Sequence, residues 1–282
     1  MGVSVKKICA VTMARNDEFF LNRWAAYYGT LLGEENLYIY LDGTDQKAPS
    51  GAGKSNVSIV EKKGYHVVDA EKQRLGFLSD RAGELLRKYD LVIGCDADEF
   101  LAVDPKTNMT LAEYLSQINV KTSVSGLGLD FGQHLAAERP LDKSKPFLRQ
   151  RQYALLSTRY TKTSIISKPV RWGSGFHRVN GHNFHIDKNL YLLHFGNADY
   201  NALKARFDDQ DFINTGRIRH LKKRIRVIED VTNKQSVDGD KVFARARTIQ
   251  TFCRQIYSWN KPCMLGMRWI VKIPERFKEL GI

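Results

Sequence analysis

Residues Ile93–Phe100, "IGCDADEF", place three carboxylates, Asp96, Asp98 and Glu99, directly after the apolar run "DLVIGC". Acids are rarely buried without a partner, so a metal ion, a basic side chain or water must hold this cluster at the end of its strand. Asp96 and Asp98 are separated by one residue, so on an extended backbone both face the same side, and Phe100–Leu101 return to burial at once. A pair of hard oxygen ligands suits a divalent cation such as Mg2+ or Mn2+, which keeps coordination sites for substrate phosphates. Two other motifs fail. "GAGKS" (Gly51–Ser55) looks like the end of a phosphate loop, but Ala48 stands where the first glycine is required and no strand precedes it. "DADEFLAVD" has Phe100 and Leu101 where a calcium loop needs a ligand and a glycine.

The elements that must carry the acids alternate. "KICAVT" reads as a first strand ending in polar "ARND", and Leu21, Trp24, Ala25, Tyr28 and Leu32 then follow helical spacing, with Asp17 and Glu18 in the first turn. "LYIYLD" is a second strand closed by "DGTD", and "YHVVD" (Tyr65–Asp69) a short third. Leu78, Ala82, Leu85, Leu86 and Tyr89 make a second amphipathic helix leading into "LVIGC". Beyond the acids, Thr110 and Glu113 form a capping box, "SVSGLGLDFG" and "LYLLHF" read as strands, and a helix starts near Asp199. Alternating strands and helices predict an α/β fold, a mainly parallel mixed sheet of Rossmann-like, doubly wound type flanked by helices. Ligands of such sheets lie at the carboxyl ends of the strands, which puts Arg15, Asn16, Asp17, Asp42 and Asp96–Glu99 on one rim.

The 282 residues are 43% hydrophobic and 11% aromatic, enough for a substantial core. The four cysteines form no CxxC pair, which argues against thiolate zinc and a disulfide framework and for a cytoplasmic setting. No apolar run is long enough for a transmembrane helix, and the N-terminal apolar run reads as a strand rather than a signal peptide. The net charge of +13 is uneven: residues 1–200 carry 26 Lys+Arg against 22 Asp+Glu, residues 201–282 carry 18 against 9. The last segment therefore reads as a basic helical extension, 213–282, behind an α/β domain of residues 1–212. Its most charged part is "RIRHLKKRIR" (Arg217–Arg226).

At these residues the chain resembles the nucleotide-sugar-dependent glycosyltransferases of the GT-A fold, the family 2-like group with a DxDEF acidic motif, over most of residues 7–210. "MARNDEFFLNRWAAYYGTLLG" is similar to that group's opening block, with Asn16, Asp17 (aspartate where glutamate is usual), Leu21, Trp24 and Gly33 in place. "IYLDGTD" resembles its second-strand signature, one residue shorter, and "CDADEFL" its metal motif. "LDFGQH", "SKPV…FHRVNGH" and "LLHFG" resemble later blocks. The resemblance implies transfer of a sugar, with inversion, from a nucleotide-diphosphate sugar to a hydroxyl of a saccharide or glycolipid acceptor, in surface polysaccharide synthesis. It implies that Arg15, Asn16 and Asp42 bind the nucleotide, that Asp96 approaches the ribose or the metal, and that Asp98 is the principal ligand of Mn2+ or Mg2+. His177 and His194 are candidates for a further ligand. The general base expected for the acceptor hydroxyl is Asp130, with Glu138 and His134 behind it.

Two other classes are open to the sequence: a nucleic-acid-binding module using the basic segment, and a non-catalytic sugar-nucleotide-binding domain. The intact D-x-D argues against the second. Against the first, "RIRHLKKRIR" lacks interleaved aromatics for base stacking, so no nucleic-acid partner is expected. Its Ile218, Leu221 and Ile225 instead form a narrow apolar stripe flanked by cations, which suits either peripheral attachment to the anionic inner face of the cytoplasmic membrane or packing of the stripe on the rest of the chain with the cations solvated; the number of cations favours the first.

Overall fold

The computed structural model describes residues 5–64, 67–207 and 218–282. Its first half alternates β1 (Ile8–Ala14), α1 (Glu18–Leu32), β2 (Leu37–Asp42), β3 (Asn56–Val60), α2 (Val67–Leu85) and β4 (Leu91–Gly94). β5 (Glu99–Val103), α3 (Leu111–Gln117), β6 (Ser123–Gly132), β7 (Tyr153–Leu156), β8 (Ile165–Ile166) and β9 (Ile186–Asn197) follow. The chain closes with α4 (Tyr200–Ala205), α5 (Ile218–Asn233), β10 (Ser236–Asp238), α6 (Gly239–Phe252) and β11 (Ile270–Lys272).

These strands form one mixed α/β sheet of 11 strands, in the path β10-β11-β7-β6-β8-β4-β1-β2-β3, with β9 joining β5 to β6. β4, β1, β2 and β3 are parallel, the Rossmann-like half expected from the alternation. Beyond β4 the pairings are mostly antiparallel, the parallel β6–β9 pair being the one that matters to the site. Helices cover both faces. From α1, Leu21, Trp24, Ala25 and Tyr28 bury against Ile39 and Ile93. From α2, Leu75, Leu78, Ala82 and Leu85 pack on Cys9, Val11 and Val92. Trp24 and Tyr28 are fully buried, each contributing on the order of 2–3 kcal/mol by area. The Thr110–Glu113 capping box starts α3 as expected.

Two expectations are corrected. "YHVVD" is not the third strand: Val67–Asp69 open α2, and Tyr65 and His66 lie outside the described residues. The β-branched pair Val67–Val68 reads as strand by propensity, but Val68 is exposed at the helix start, where no sheet neighbour rewards it. The third strand is "NVSIV", a short edge strand whose residues are all exposed or half-buried. The second correction concerns the stripe at 217–226. Leu221 is buried against Leu203 and Ile228, and Ile225 packs on the same cluster, so these residues are spent on the body and not open to a membrane. Arg217 and the side chain of Ile218 lie outside the described residues.

The boundary expected at 212/213 also falls outside them. The chain beyond is helical in α5 and α6 but adds β10 and β11 to the sheet, β11 running antiparallel to β7. Phe243, Val271, Ile273 and Phe277 share one core cluster with Phe100, Phe131 and Phe195. No described helix is long and apolar enough to cross a membrane.

Candidate functional site

The partners of the acidic cluster are basic side chains. β4 delivers Asp96 at its carboxyl end; the chain turns through Asp98 and re-enters the sheet at Glu99, with Glu99 N donating to Asp96 O at 3.1 Å. Arg74 of α2 donates to Asp96 Oδ1 at 2.8 Å and Lys162 to Oδ2 at 2.7 Å. Lys162, its side chain 3% exposed, also meets Glu99 Oε1 at 2.5 Å. Burial alone would raise the Asp96 carboxyl, but the Lys162 and Arg74 charges outweigh it and hold Asp96 well below the carboxylate range. Glu99, wholly buried, is pushed up to about 7 by that burial, against the pull of Lys162.

Asp98 faces a different set. His194 Nε2 lies 3.1 Å from Asp98 Oδ2, and His194 Nδ1 lies 2.7 Å from Asp130 Oδ1. Strand register builds this: Glu99 is the partner of His194 across β5–β9, and Asp130 is the partner of His194 across β9–β6, so the three side chains share a sheet face. Burial would lower the imidazole, yet the Asp98 and Asp130 charges raise it to about 9, so His194 is an imidazolium donating to both carboxylates. In return His194 outweighs burial at Asp98 and brings it down to about 2. The Tyr160 ring stacks on His194 at 3.7 Å between centroids, and Arg224 of α5 reaches Asp98 Oδ2 at 3.4 Å. Gly196 admits this approach, because a Cβ there would lie 2.5 Å from Asp98 Oδ2 and 2.6 Å from His194 Nε2. Asp17, before α1, is pushed up to about 6 by burial and then by the Asp98 charge. It lines a cavity of about 220 Å³ with Asn16, Phe19, Phe195, Gly196 and Arg206.

The other expected residues fall into place around these two halves. Arg15 pairs with Asp45 and donates to Asp42 O at 2.7 Å, while Asn16 exchanges two hydrogen bonds of 2.7 Å with Gln46. The three residues meet at the carboxyl ends of β1 and β2, where they clamp the loop after β2; the Asp42 carboxylate itself accepts from Lys63 N. His177 lies on the Asp96 side, lowered to about 3 by burial and then by Lys162, with Nδ1 buried and without a partner among the described residues. It is not brought to Asp98. Asp130 is buried, and its Oδ1 takes hydrogen bonds from both His194 and Asn197 Nδ2 (2.6 Å). Glu138 accepts from His134 N and Gln152 N, and the His134 ring packs at a tilt against Tyr153, so these two staple the loop after β6 rather than join the acid site.

For a divalent cation the fit is to one half of the site. An ion that displaces the Nε2 proton would lie within reach of both Asp98 Oδ2 and His194 Nε2, with Asp130 on the far nitrogen as the outer-shell carboxylate that metal-bound histidines carry. Asp96 has both oxygens committed to cations. Among the described residues no three His, Cys, Asp or Glu side chains converge on one point. An ion here would take two protein ligands and complete its shell with phosphate oxygens and water, as Mg2+ and Mn2+ sites do.

Arg74, Lys162, Tyr160 and Arg224 were not found from the sequence. Each sits in a polar or charged stretch with no spacing that points at the acids.

No protein-family model matches the chain, and no curated protein matches it. Among solved structures, one similar chain is the apo form of WbbM, a bifunctional glycosyltransferase. It is 14% identical with a TM-score of 0.25, over 46% of this chain and 24% of that one. The chain thus spans about a quarter of that protein's length, and a likeness this remote carries no functional argument.

Proposed function

We propose that the chain is a glycosyltransferase moving a sugar from a nucleotide-diphosphate donor to a hydroxyl of a saccharide or glycolipid acceptor, with inversion. The reading is carried by one observation: Asp98, ion-paired to His194, stands at the carboxyl end of β4 beside the β1 and β2 rim formed by Arg15, Asn16 and Asp42. That rim is where α/β sheets hold nucleotides. On this reading Arg15, Asn16 and Asp42 flank the base and ribose. Asp96, fixed by Arg74 and Lys162, is an ionised acceptor for ribose hydroxyls. Asp98 and His194 hold Mn2+ or Mg2+. The cation, when bound, offsets the charge that collects on the leaving diphosphate.

Asp130 acts as general base through Oδ2, since Oδ1 is taken by His194 and Asn197. The acceptor O–H proton passes to Oδ2 as the acceptor oxygen bonds the anomeric carbon, and the bond to the diphosphate breaks with its electron pair. With a cation on Nε2, His194 would be a neutral imidazole whose Nδ1–H still donates to Asp130 Oδ1 and fixes that carboxylate in place. Attachment to an anionic membrane, if used to reach a glycolipid, falls to exposed cations such as Lys222, because the apolar stripe is packed inside.

A panel of nucleotide sugars, each with and without Mn2+, tests the reading through release of the nucleoside diphosphate. Metal-dependent release by the wild type and its loss in Asp98→Asn are expected; no release with any donor, or equal release by both proteins, removes the proposal.

A further inference from the structure

A second cavity, about 320 Å³, opens on the far side of the Asp130–His194 pair, between the loop after β7 and helix α5. Its volume is in the range that holds a small ligand. Arg159, Lys223, Arg224, Arg226 and Arg268 line it, against a single carboxylate, Asp130. Two of these cations are engaged elsewhere: Arg224 with Asp98, and Arg268 with Asp230. Arg159, Lys223 and Arg226 have no carboxylate partner among the described residues.

The deep end of the same cavity has a different chemistry. Asn197, 1% exposed, lines it with its Nδ2 committed to Asp130 Oδ1 at 2.6 Å. The carboxylate fixes the amide orientation, which leaves Asn197 Oδ1 as a buried acceptor without a partner among the described residues. A buried acceptor left empty is costly, and a ligand hydroxyl would satisfy it. Ser157 and Asp130, both buried, line the same cavity.

We infer that this cavity is the acceptor subsite and that it takes a hydroxyl-bearing sugar carrying an anionic group, phosphate or carboxylate. Arg159, Lys223 and Arg226 hold the anion at the mouth, and Asn197 Oδ1 and Asp130 receive hydroxyls at the base. The inference rests on the transferase reading above for the word acceptor; the anion site itself rests on the cavity. Donor and acceptor then occupy opposite sides of one Asp98–His194–Asp130 row, and Arg224, which reaches Asp98 from the cavity wall, marks the passage between them.

Calorimetric titration of the full chain with glucose 6-phosphate, glucuronate and glucose tests this, with UDP titrated separately. An anionic sugar is expected to bind while glucose does not, and the preferred one of the pair identifies the anion. The triple variant Arg159→Gln, Lys223→Gln, Arg226→Gln is expected to bind it at least about tenfold more weakly, the loss of one or more charge-assisted contacts. Those side chains are exposed at the cavity mouth, so the fold is not at stake. Lys222→Gln, exposed on the same helix but outside the cavity, should bind as the wild type does. Equal binding of glucose and its anionic analogues, an unchanged triple variant, or an equal loss in Lys222→Gln would overturn the subsite. So would loss of UDP binding in the triple variant, because the cavity would then serve the donor. If no nucleotide sugar is cleaved while the anionic sugar still binds through the three cations, the anion site stands and the transferase reading falls.

Discussion

Asp98 Oδ2 and His194 Nε2 meet at 3.1 Å although 96 positions of chain separate them. His194 is charged because of this contact and the one behind it to Asp130, and Asp98 is held ionised in turn because His194 is charged. The four predictions below follow from this row and from its neighbour, the Lys162 cluster.

Asp98→Asn keeps the size of the side chain and an oxygen for His194 but removes the charge. Turnover is expected to fall by roughly 10²-fold or more, the scale on which single charge-stabilising groups act. The rate should also lose its dependence on Mn2+. Steady-state rates over a manganese series decide this; a variant that responds to the metal like the wild type would clear Asp98 of the ligand role.

Asp130→Asn separates base from binding. A base acts only when the acceptor loses its proton, so turnover at donor saturation should drop by roughly 10²–10⁴-fold while the donor dissociation constant holds. Weaker donor binding with unchanged turnover would instead give Asp130 a structural duty.

The pH dependence of stability has a definite sign. The folded His194 value, about 9, lies above its ordinary 6.5, so its contribution is full below pH 6.5 and is lost as pH rises through 9. The same contact seen from Asp98, lowered from 3.8 to about 2, is present above pH 3.8 and lost as pH falls through 2. The two describe one interaction and do not add. The shift at His194 corresponds to on the order of 3 kcal/mol. Urea unfolding at pH 6 and pH 9.5 should show the wild type losing a few kcal/mol relative to His194→Gln; parallel losses in both proteins would contradict a charged His194.

Lys162→Met leaves Asp96 and Glu99 without their shared cation in a buried site. Removing one partner of a buried ion pair costs roughly 3–5 kcal/mol, so the urea midpoint should fall well below that of the wild type. Raising the pH should deepen the loss, since Glu99 is then more fully ionised. A midpoint within error of the wild type would mean that water reaches Asp96 freely.

Much of the fold was legible because it is local. The Leu21–Tyr28 stripe, the Thr110–Glu113 box and the run Ser123–Gly132 are specified by residues within a few positions of one another, and each forms as read. The acidic end of β4 was legible for the same reason: an apolar strand followed at once by carboxylates must place them at a sheet rim. What holds those carboxylates was not. Lys162 and Arg74 reach Asp96 from 66 and 22 positions away, and Asp130 meets His194 because β6 and β9 run parallel in one particular register. Register follows from the packing of whole strands, so no spacing in the sequence announces it. Propensity misled where tertiary context decides, at Val67–Val68, whose β-branched side chains open a helix, and at Leu221, whose apolar stripe meets Leu203 instead of lipid. The sequence by itself determined the strands and helices whose pattern is local, and the chemistry available at one rim. The tertiary structure alone decided which charges face each other there, because a carboxylate's partner is chosen by distance in space and not along the chain.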